Sequence, residues 1–571
     1  MEKATVKIVS ASGKEYGIEK RSTASINPQA CVNCGKCREM CPVGAISEQQ
    51  RIICRLCPSC TSRPALLHDE MVSLATKTSC TVACPLGISP QGYINLVRNG
   101  KEQEAYKHIW DKNPLPSVCG RICHHPCEQE CKRGILVDEP IAIRGVKRYL
   151  TDEIDYLPPV YPHIYEETVA VIGAGPAGLT AAHYLSMAGH EVTVFDAQNQ
   201  PGGMMVRGIP EFRLPRDVVK EDIRRLEESG IELHLGHQVG KSEMEQILKE
   251  YDAVIVAAGT PHSKELKIDG WRKEGVMTAL AFMERVGNDQ SIWRHPGQQF
   301  KLEGDVVVIG GGNVAMDCAR TAIRCGAHSV TAVCMECGSE VPAHEWERRE
   351  AEEEGIVIIE GAAPQKFLGV HNVLSGIELA KVISCTKTAD GRIQAEVDKN
   401  DTLEIPADLI IVAIGQAPSP MWEQWERMDS VFFAGDVRSG AFSVVDAMAS
   451  GKKAALEVLQ KLHGLEVKDP LALRILHQAP LLQKIYPATR LKIERPEQPV
   501  LPVEERKHNF DEVETSYLKE NIEKETLRCL QCGYQLVDSD LCIGCGVCQS
   551  VCPEGDVITM VPLELGVKSN G

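Results

Sequence analysis

Residues Thr168 to Asp196 read TVAVIGAGPAGLTAAHYLSMAGHEVTVFD. A β-branched run, Val169 to Ile172, leads into Gly173-Ala174-Gly175-Pro176-Ala177-Gly178; a helix-forming run follows, and a second β-branched run, Val192 to Phe195, ends on Asp196. Strand, glycine turn, helix, strand, acid is the order of a dinucleotide-binding unit. Gly173 makes the tight turn, Gly175 lets the backbone approach a pyrophosphate, and Gly178 lets the helix pack closely on the strand. The helix start at Pro176 and Ala177 offers N–H groups and a positive dipole end to phosphates. Asp196, about 20 residues on, is placed to accept ribose hydroxyls.

The same unit continues through Gly202 and Gly203, and Asp252 to Gly259 reads as a buried strand ending in the small residues Ala258 and Gly259. A second fingerprint stands at DVVVIGGGNVA, Asp305 to Ala315, with Gly310, Gly311 and Gly312 in the turn and Asn313 and Val314 opening the helix. Ser329 to Val333 is its paired strand. Two such units, the second inserted in the first, imply two nucleotides. The first unit is expected to resume at Asp408 to Gly415 and to finish at Val431 to Asp436. There Gly435 and Asp436 would stand against a flavin's ribityl chain and phosphates.

A chain of 571 residues predicts about three to four domains. A formal charge of −17 argues against nucleic acid or an anionic membrane as partner. No apolar run approaches the roughly 18 residues of a spanning helix. The opening MEKATVKIVSASGKEYG has no apolar signal core, so a cytoplasmic protein is expected. In such a chain, 24 cysteines point to metal rather than disulfides.

Cys31-x-x-Cys34-x-x-Cys37-x-x-x-Cys41-Pro42 is the bacterial ferredoxin run, in which three thiolates hold one cubane and the fourth reaches a second. Cys54, Cys57 and Cys60 form a second run without its fourth cysteine, which leaves a cubane with a borrowed ligand or a zinc site. Cys80 and Cys84 precede a helical stretch, and Cys119, Cys123, Cys127 and Cys131 follow at four-residue spacing, with Pro126 expected to break their helix. His124 and His125 could ligate but are read rather as surface groups or as neighbours of the ligands. From about Pro470 a proline- and charge-rich stretch reads as an extended surface linker. Cys529 and Cys532 come next, then a second ferredoxin run of Cys542, Cys545, Cys548 and Cys552, so clusters are expected at both ends of one flavin core.

The motifs CPLGISP, NPLPSVCGRIC, GAGPAGL, GIPEFRLP, GGGNVAMDCAR and VFFAGD resemble those of the glutamate synthase small subunit family across about residues 75–460. The resemblance implies FAD in the first unit, a nicotinamide nucleotide in the second and two cubanes in the helical module. It places Glu211, Phe212, Arg213, Leu214 and Pro215 along the isoalloxazine. Three departures stand out. The family's CxxC before Cys80 is missing, so one cluster is either rewired to Cys54, Cys57 or Cys60 or absent. Lys147 stands where the family has a Gln or Glu ligand. Met335 and Glu336 replace an arginine pair that holds a 2′-phosphate, and a carboxylate there favours NAD(H) over NADP(H).

The expected fold is α/β: two nested Rossmann-like domains, preceded by a helical iron–sulfur module and flanked by N- and C-terminal ferredoxin-like modules. The expected divisions are 1–68 (ferredoxin-like), 69–160 (helical), 161–290 and 405–465 (FAD), 291–404 (nicotinamide), 466–525 (linker) and 526–571 (ferredoxin-like). About four [4Fe-4S] clusters, FAD and a nicotinamide nucleotide make an NAD(P)H oxidoreductase subunit. It would exchange electrons with ferredoxin or another redox subunit, and fold-level analogy extends this to an electron-bifurcating complex. The alternatives are a connector without nicotinamide chemistry and a glutamate synthase-type electron donor.

Overall fold

β-branched runs buried on both faces form parallel sheets, and the described residues hold two of them. The computed structural model describes residues 5–9, 15–19, 22–26, 31–41, 45–50, 78–288, 301–387, 393–464, 493–537, 547–553 and 558–562. In the first sheet the strands run Val431–Phe433, Ala253–Val256, Thr168–Ile172, Glu191–Asp196, Glu232–Leu235. In the second they run Val276–Thr278, Leu409–Val412, Asp305–Ile309, Ser329–Val333, Val357–Ile359. Every pairing in both is parallel, and each sheet puts its glycine-turn strand at the centre. An antiparallel meander, Ala362–Val370, Val373–Lys387 and Ile393–Pro406, packs on the second sheet through Phe367, Ile377 and Leu379.

This corrects one expectation. Leu409–Val412 belongs to the second sheet, pairing Val306 with Leu409 and Ile309 with Val412. The meander carries the chain back to the sheet it left, and the first unit resumes only where Val431 pairs with Val254. Val276–Thr278 likewise joins the second sheet, ahead of the expected division at 291.

Seven short helices between Ser79 and Glu153 build the cysteine-bearing module. Pro126 opens its own helix, Pro126–Gln129, so the ladder Cys119–Cys131 bends there as its sequence predicts. The module has no separate core: Trp110, Val118 and Leu150 join Val171, Leu185 and Ala454 of the first unit in one apolar cluster.

The two ferredoxin-like ends are not separate modules. Ser22–Ile26 pairs antiparallel with Ile558–Pro562, and Ile46–Gln50 with Gly533–Val537. Each half brings two short strands, too few to be stable alone. Together they bury Ala24, Cys37, Ile46, Cys548 and Ile558.

The expected linker also differs from its description within residues 493–528. Several of its charges are paired with the rest of the chain: half-buried Glu512 accepts from Arg121 at 2.7 Å and Arg148 at 2.8 Å, half-buried Glu514 from Arg144 at 2.7 Å, and buried Arg506 from this segment reaches Glu354 at 3.1 Å. Among the described residues no helix is long and apolar enough to cross a membrane.

Candidate functional site

The first glycine turn is shaped by contacts that exclude side chains. Gly173 has φ +111°, and a Cβ there would lie 2.3 Å from the Ala257 carbonyl oxygen; one on Gly178 would lie 1.9 Å from that of Gly173. Gly175 is different: a Cβ there meets nothing nearer than the Gly203 Cα, at 4.0 Å. Helix Pro176–Ala188 has no side-chain cap, so its first N–H groups face that open space. Gly202 donates to the Ala174 carbonyl at 2.8 Å and holds Gly203, at φ +55°, over the turn. Asp196 accepts from Ala174 N at 2.7 Å, which fixes the acid at the turn's edge. Gly435 closes from the other side on Ala177, and its N–H reaches Ser450 Oγ at 2.8 Å. Burial pushes the Asp436 carboxyl up to about 6, against a backbone hydrogen bond from Phe442. Ala258 and Gly259, φ +64°, end their strand beside this space with room above Gly259. These residues fit a dinucleotide.

The second turn repeats the pattern. A Cβ on Gly310 would strike the Ala413 carbonyl at 2.4 Å, whereas one on Gly312 meets nothing within 4 Å, and helix Asn313–Arg324 has no side-chain cap. Asn313 Oδ1 accepts from His344 N at 3.0 Å, and Val314 is exposed. Glu336 is buried with a carboxylate oxygen 3.2 Å from where a Gly311 Cβ would sit. Gly415, two residues after Ala413, has φ +100° and Lys264 as the nearest neighbour of an added Cβ, at 3.8 Å.

The stretch Glu211 to Pro215 lies differently from the expected flavin lining. Phe212 and Leu214 have 0 % exposure, so neither keeps surface for a bound ring. Phe212 lies under the Arg324 guanidinium, 3.9 Å from its centroid. Arg213 instead clasps the second unit, donating to Asp317 at 2.8 Å and Glu347 at 2.6 Å. Glu211 and Pro215 remain partly exposed.

Apart from Cys318, Cys325, Cys334, Cys337 and Cys385 of the second unit and its meander, the described cysteines fall into three groups. Cys31, Cys34, Cys37 and Cys552 meet where the two ferredoxin halves join; burial pushes the Cys34 thiol up to about 12, and Cys31 and Cys552 add to the shift. Cys41 and Cys548 pack in the same small core. Cys84, Cys119, Cys123 and Cys127 surround buried Lys147; burial opposes its charge, and the potential of these sulfurs outweighs it, raising its pKa. Cys80 and Cys131 face Cys529 and Cys532 across one cavity. The last pair therefore sits at the helical module and not with the terminal run. Cys54, Cys57, Cys60, Cys542 and Cys545 lie outside the described residues. Buried thiols are ordinarily inert and neutral; converging sets of them fit iron–sulfur ligation, which deprotonates them.

Two links were missed by sequence reasoning. Met448 Sδ lies 3.6 Å from Cys119 Sγ, and Asp222 accepts from Ser117 N at 2.9 Å and Val118 N at 3.0 Å, capping the helix that bears Cys119. A lone Met or Asp on an amphipathic helix carries no signal of such a partner. His125, at φ +45°, donates its backbone N–H to Cys123 Sγ at 3.4 Å, and its ring Nδ1 lies 3.1 Å from the Cys123 carbonyl oxygen.

Residues 167–451 match the pyridine nucleotide-disulphide oxidoreductase family model, residues 72–156 the dihydropyrimidine dehydrogenase domain II 4Fe-4S model, and residues 24–47 and 536–556 the 4Fe-4S binding domain. The NADP(+)-dependent formate dehydrogenase subunit beta of Moorella thermoacetica is 33% identical over 79% of this chain and 70% of its own length. The glutamate synthase [NADPH] small chain of Azospirillum brasilense is 31% identical over 66% of this chain and 84% of its own. The NAD-dependent dihydropyrimidine dehydrogenase subunit PreT of Escherichia coli is 32% identical over 73% and 98%. The chain belongs to the glutamate synthase small chain-like family of pyridine-nucleotide oxidoreductases with 4Fe-4S domains.

Proposed function

We propose that this chain exchanges electrons between a nicotinamide nucleotide at the second glycine turn and iron–sulfur clusters, by way of FAD at the first. One observation carries the reading. Cys119, in the sulfur set around Lys147, touches Met448, whose helix Val444–His463 crosses the flavin-side turn so closely that a Cβ on Gly451 would lie 2.0 Å from the Ala177 carbonyl. A flavin bound there would accept one hydride, an electron pair with its proton, and release the two electrons singly.

The chain's own task is positioning. Gly175 and Gly312 leave room for the two pyrophosphates, the uncapped helix ends direct N–H groups at them, and Arg213 holds the second unit against the first. The joined ferredoxin halves offer an exit to a second redox subunit or a ferredoxin; three relatives named as subunits or small chains support a partner. The same arrangement fits a subunit of an electron-bifurcating complex. For the nucleotide, Glu336 beside Gly311 favours NAD(H), whereas two of the three relatives are named for NADP(H) and one for NAD, which weighs towards NADP(H). Names and matches give 4Fe-4S and no zinc.

Anaerobic titration of the whole chain with NADH and with NADPH tests the reading. One of them should bleach the flavin near-stoichiometrically. If neither does while dithionite reduces both kinds of centre, the chain is a connector without nicotinamide chemistry.

A further inference from the structure

Residues 78–153 carry six cysteines, two short of the eight that two all-cysteine cubanes require. Four of the six surround Lys147, which leaves Cys80 and Cys131 as a pair. Both open onto a cavity whose other sulfurs are Cys529 and Cys532, some four hundred residues away in sequence. We infer that Cys80, Cys131, Cys529 and Cys532 together hold one [4Fe-4S] cluster, the C-terminal pair supplying the two thiolates that the helical module lacks.

Three observations support the set. First, all four line the same cavity, Cys529 buried and Cys80, Cys131 and Cys532 partly so. Second, the sulfurs stand too far apart for a single ion. Among the described residues the one group of His, Cys, Asp or Glu ligand atoms within 4.8 Å of one another is Glu167, His190 and His463. A tetrahedral zinc with Zn–S near 2.3 Å would draw its sulfurs to about 3.8 Å, whereas a cubane spreads its ligands over four irons.

Third, the backbone of Cys529-Leu530-Gln531-Cys532 has the turn of a ligand loop. Gln531 has φ +50° and hydrogen-bonds back to Cys529 through its N–H. Of the four described non-glycine residues with positive φ, three stand two places after a cysteine: Asn33 after Cys31, His125 after Cys123, and Gln531 after Cys529. A left-handed backbone is unfavourable for a non-glycine residue, so its repetition after cysteine marks a shared task.

The surrounding packing holds this loop in place. Arg528, fully buried, donates to Asp138 Oδ1 at 3.1 Å and to Glu525 at 2.7 Å, and Arg133 Nη1 donates to the Arg528 carbonyl at 2.6 Å. Arg133 and Asp138 follow Cys131 directly in sequence, so one network orients both halves of the site. The cluster would thereby tie the C-terminal segment to the helical module, next to the junction of the ferredoxin halves.

The test counts metal in the full-length chain prepared anaerobically, and so is independent of nicotinamide chemistry. Cys529→Ser/Cys532→Ser should lose about four irons and four sulfides per chain, with flavin content unchanged. Cys80→Ser/Cys131→Ser should lose the same amount and the same EPR component, and the quadruple variant no more than either. Full iron in the first variant overturns the inference, as do additive losses or one zinc per chain that disappears with the substitution. If the variants do not fold, the wild-type chain decides: graded chelation followed by alkylation should expose the four thiols as one kinetic set. Labelling of Cys529 and Cys532 together with Cys542 and Cys545 instead overturns it.

Discussion

Replacing Glu354 by alanine removes the centre of a buried charge cluster, and its cost can be worked from the bonds. The carboxylate has no exposed surface and accepts from Arg320 at 2.7 and 3.1 Å, from Arg324 at 2.5 and 3.0 Å, and from Arg506 at 3.1 Å. Burial opposes its ionisation, but the bonds from Arg324 and Arg320 outweigh this and hold the carboxyl below its usual range. The cluster's contribution is therefore present at neutral pH and lost only as pH falls below ordinary carboxylate values. In Glu354→Ala, Arg320 keeps Glu350 at 2.7 Å and Arg506 keeps Glu353 at 2.6 Å, while Arg324 keeps only the Arg320 carbonyl at 3.0 Å. One buried guanidinium left without a carboxylate costs about 3–5 kcal/mol.

Arg506→Ala, which leaves Glu354 with two partners, should cost about 1.5–3 kcal/mol. Hydrogen exchange of helix Asn313–Arg324 reads the difference: Glu354→Ala should speed its slowest amides by about two to three and a half orders of magnitude. Arg506 is also the point at which the C-terminal segment is fastened to the second unit, so exchange around residues 500–510 should rise in both variants. Acceleration below about tenfold in Glu354→Ala, some 1.4 kcal/mol, would refute the reasoning.

Gly178→Ala forces a methyl to within 1.9 Å of the Gly173 carbonyl and should yield protein without flavin absorbance but with its iron content retained. Asp222 has its carboxyl pushed up to about 6, mainly by burial, so the folded state favours its neutral form. Its contribution is full below about pH 4 and lost as pH rises through 6, up to roughly 3 kcal/mol; relative to Asp222→Asn, the wild-type melting temperature should fall between pH 4.5 and 7, and parallel curves would sink the assignment. Glu336→Ser removes a carboxylate beside the second turn and should lower the Kd for NADPH relative to NADH by about tenfold, since a like-charge contact is relieved; an unchanged ratio places the 2′ position elsewhere.

Local chemistry was legible in the sequence. Gly178 is required by the carbonyl of Gly173, a few residues before it, so that part of the first turn reads correctly without knowledge of the rest of the chain, whereas the Ala257 carbonyl that excludes a side chain at Gly173 belongs to a distant strand end. Pro126 bends the cysteine ladder for an equally local reason. Long-range addresses were not legible. An apolar run such as Leu409–Val412 fits either parallel sheet, and only the returning meander assigns it. Glu512 and Glu514 look solvated in a proline-rich stretch, yet their partners Arg121 and Arg144 lie in the helical module, hundreds of residues earlier. The same distance hid the pairing of the two ferredoxin halves, because a short strand does not announce its edge partner. Phe212 carried a motif's expectation but is spent on packing against Arg320 and Arg324.

The most direct measurement of the central claim is rapid freeze-quench EPR, paired with flavin absorbance, after anaerobic mixing with the nucleotide that the titration selects. The account predicts that flavin bleaching precedes the cluster signals, and that the flavin-free Gly178→Ala protein shows none with nucleotide while dithionite still develops them. Cluster reduction by nucleotide without flavin, or a bleached flavin with every cluster left oxidised, would contradict it.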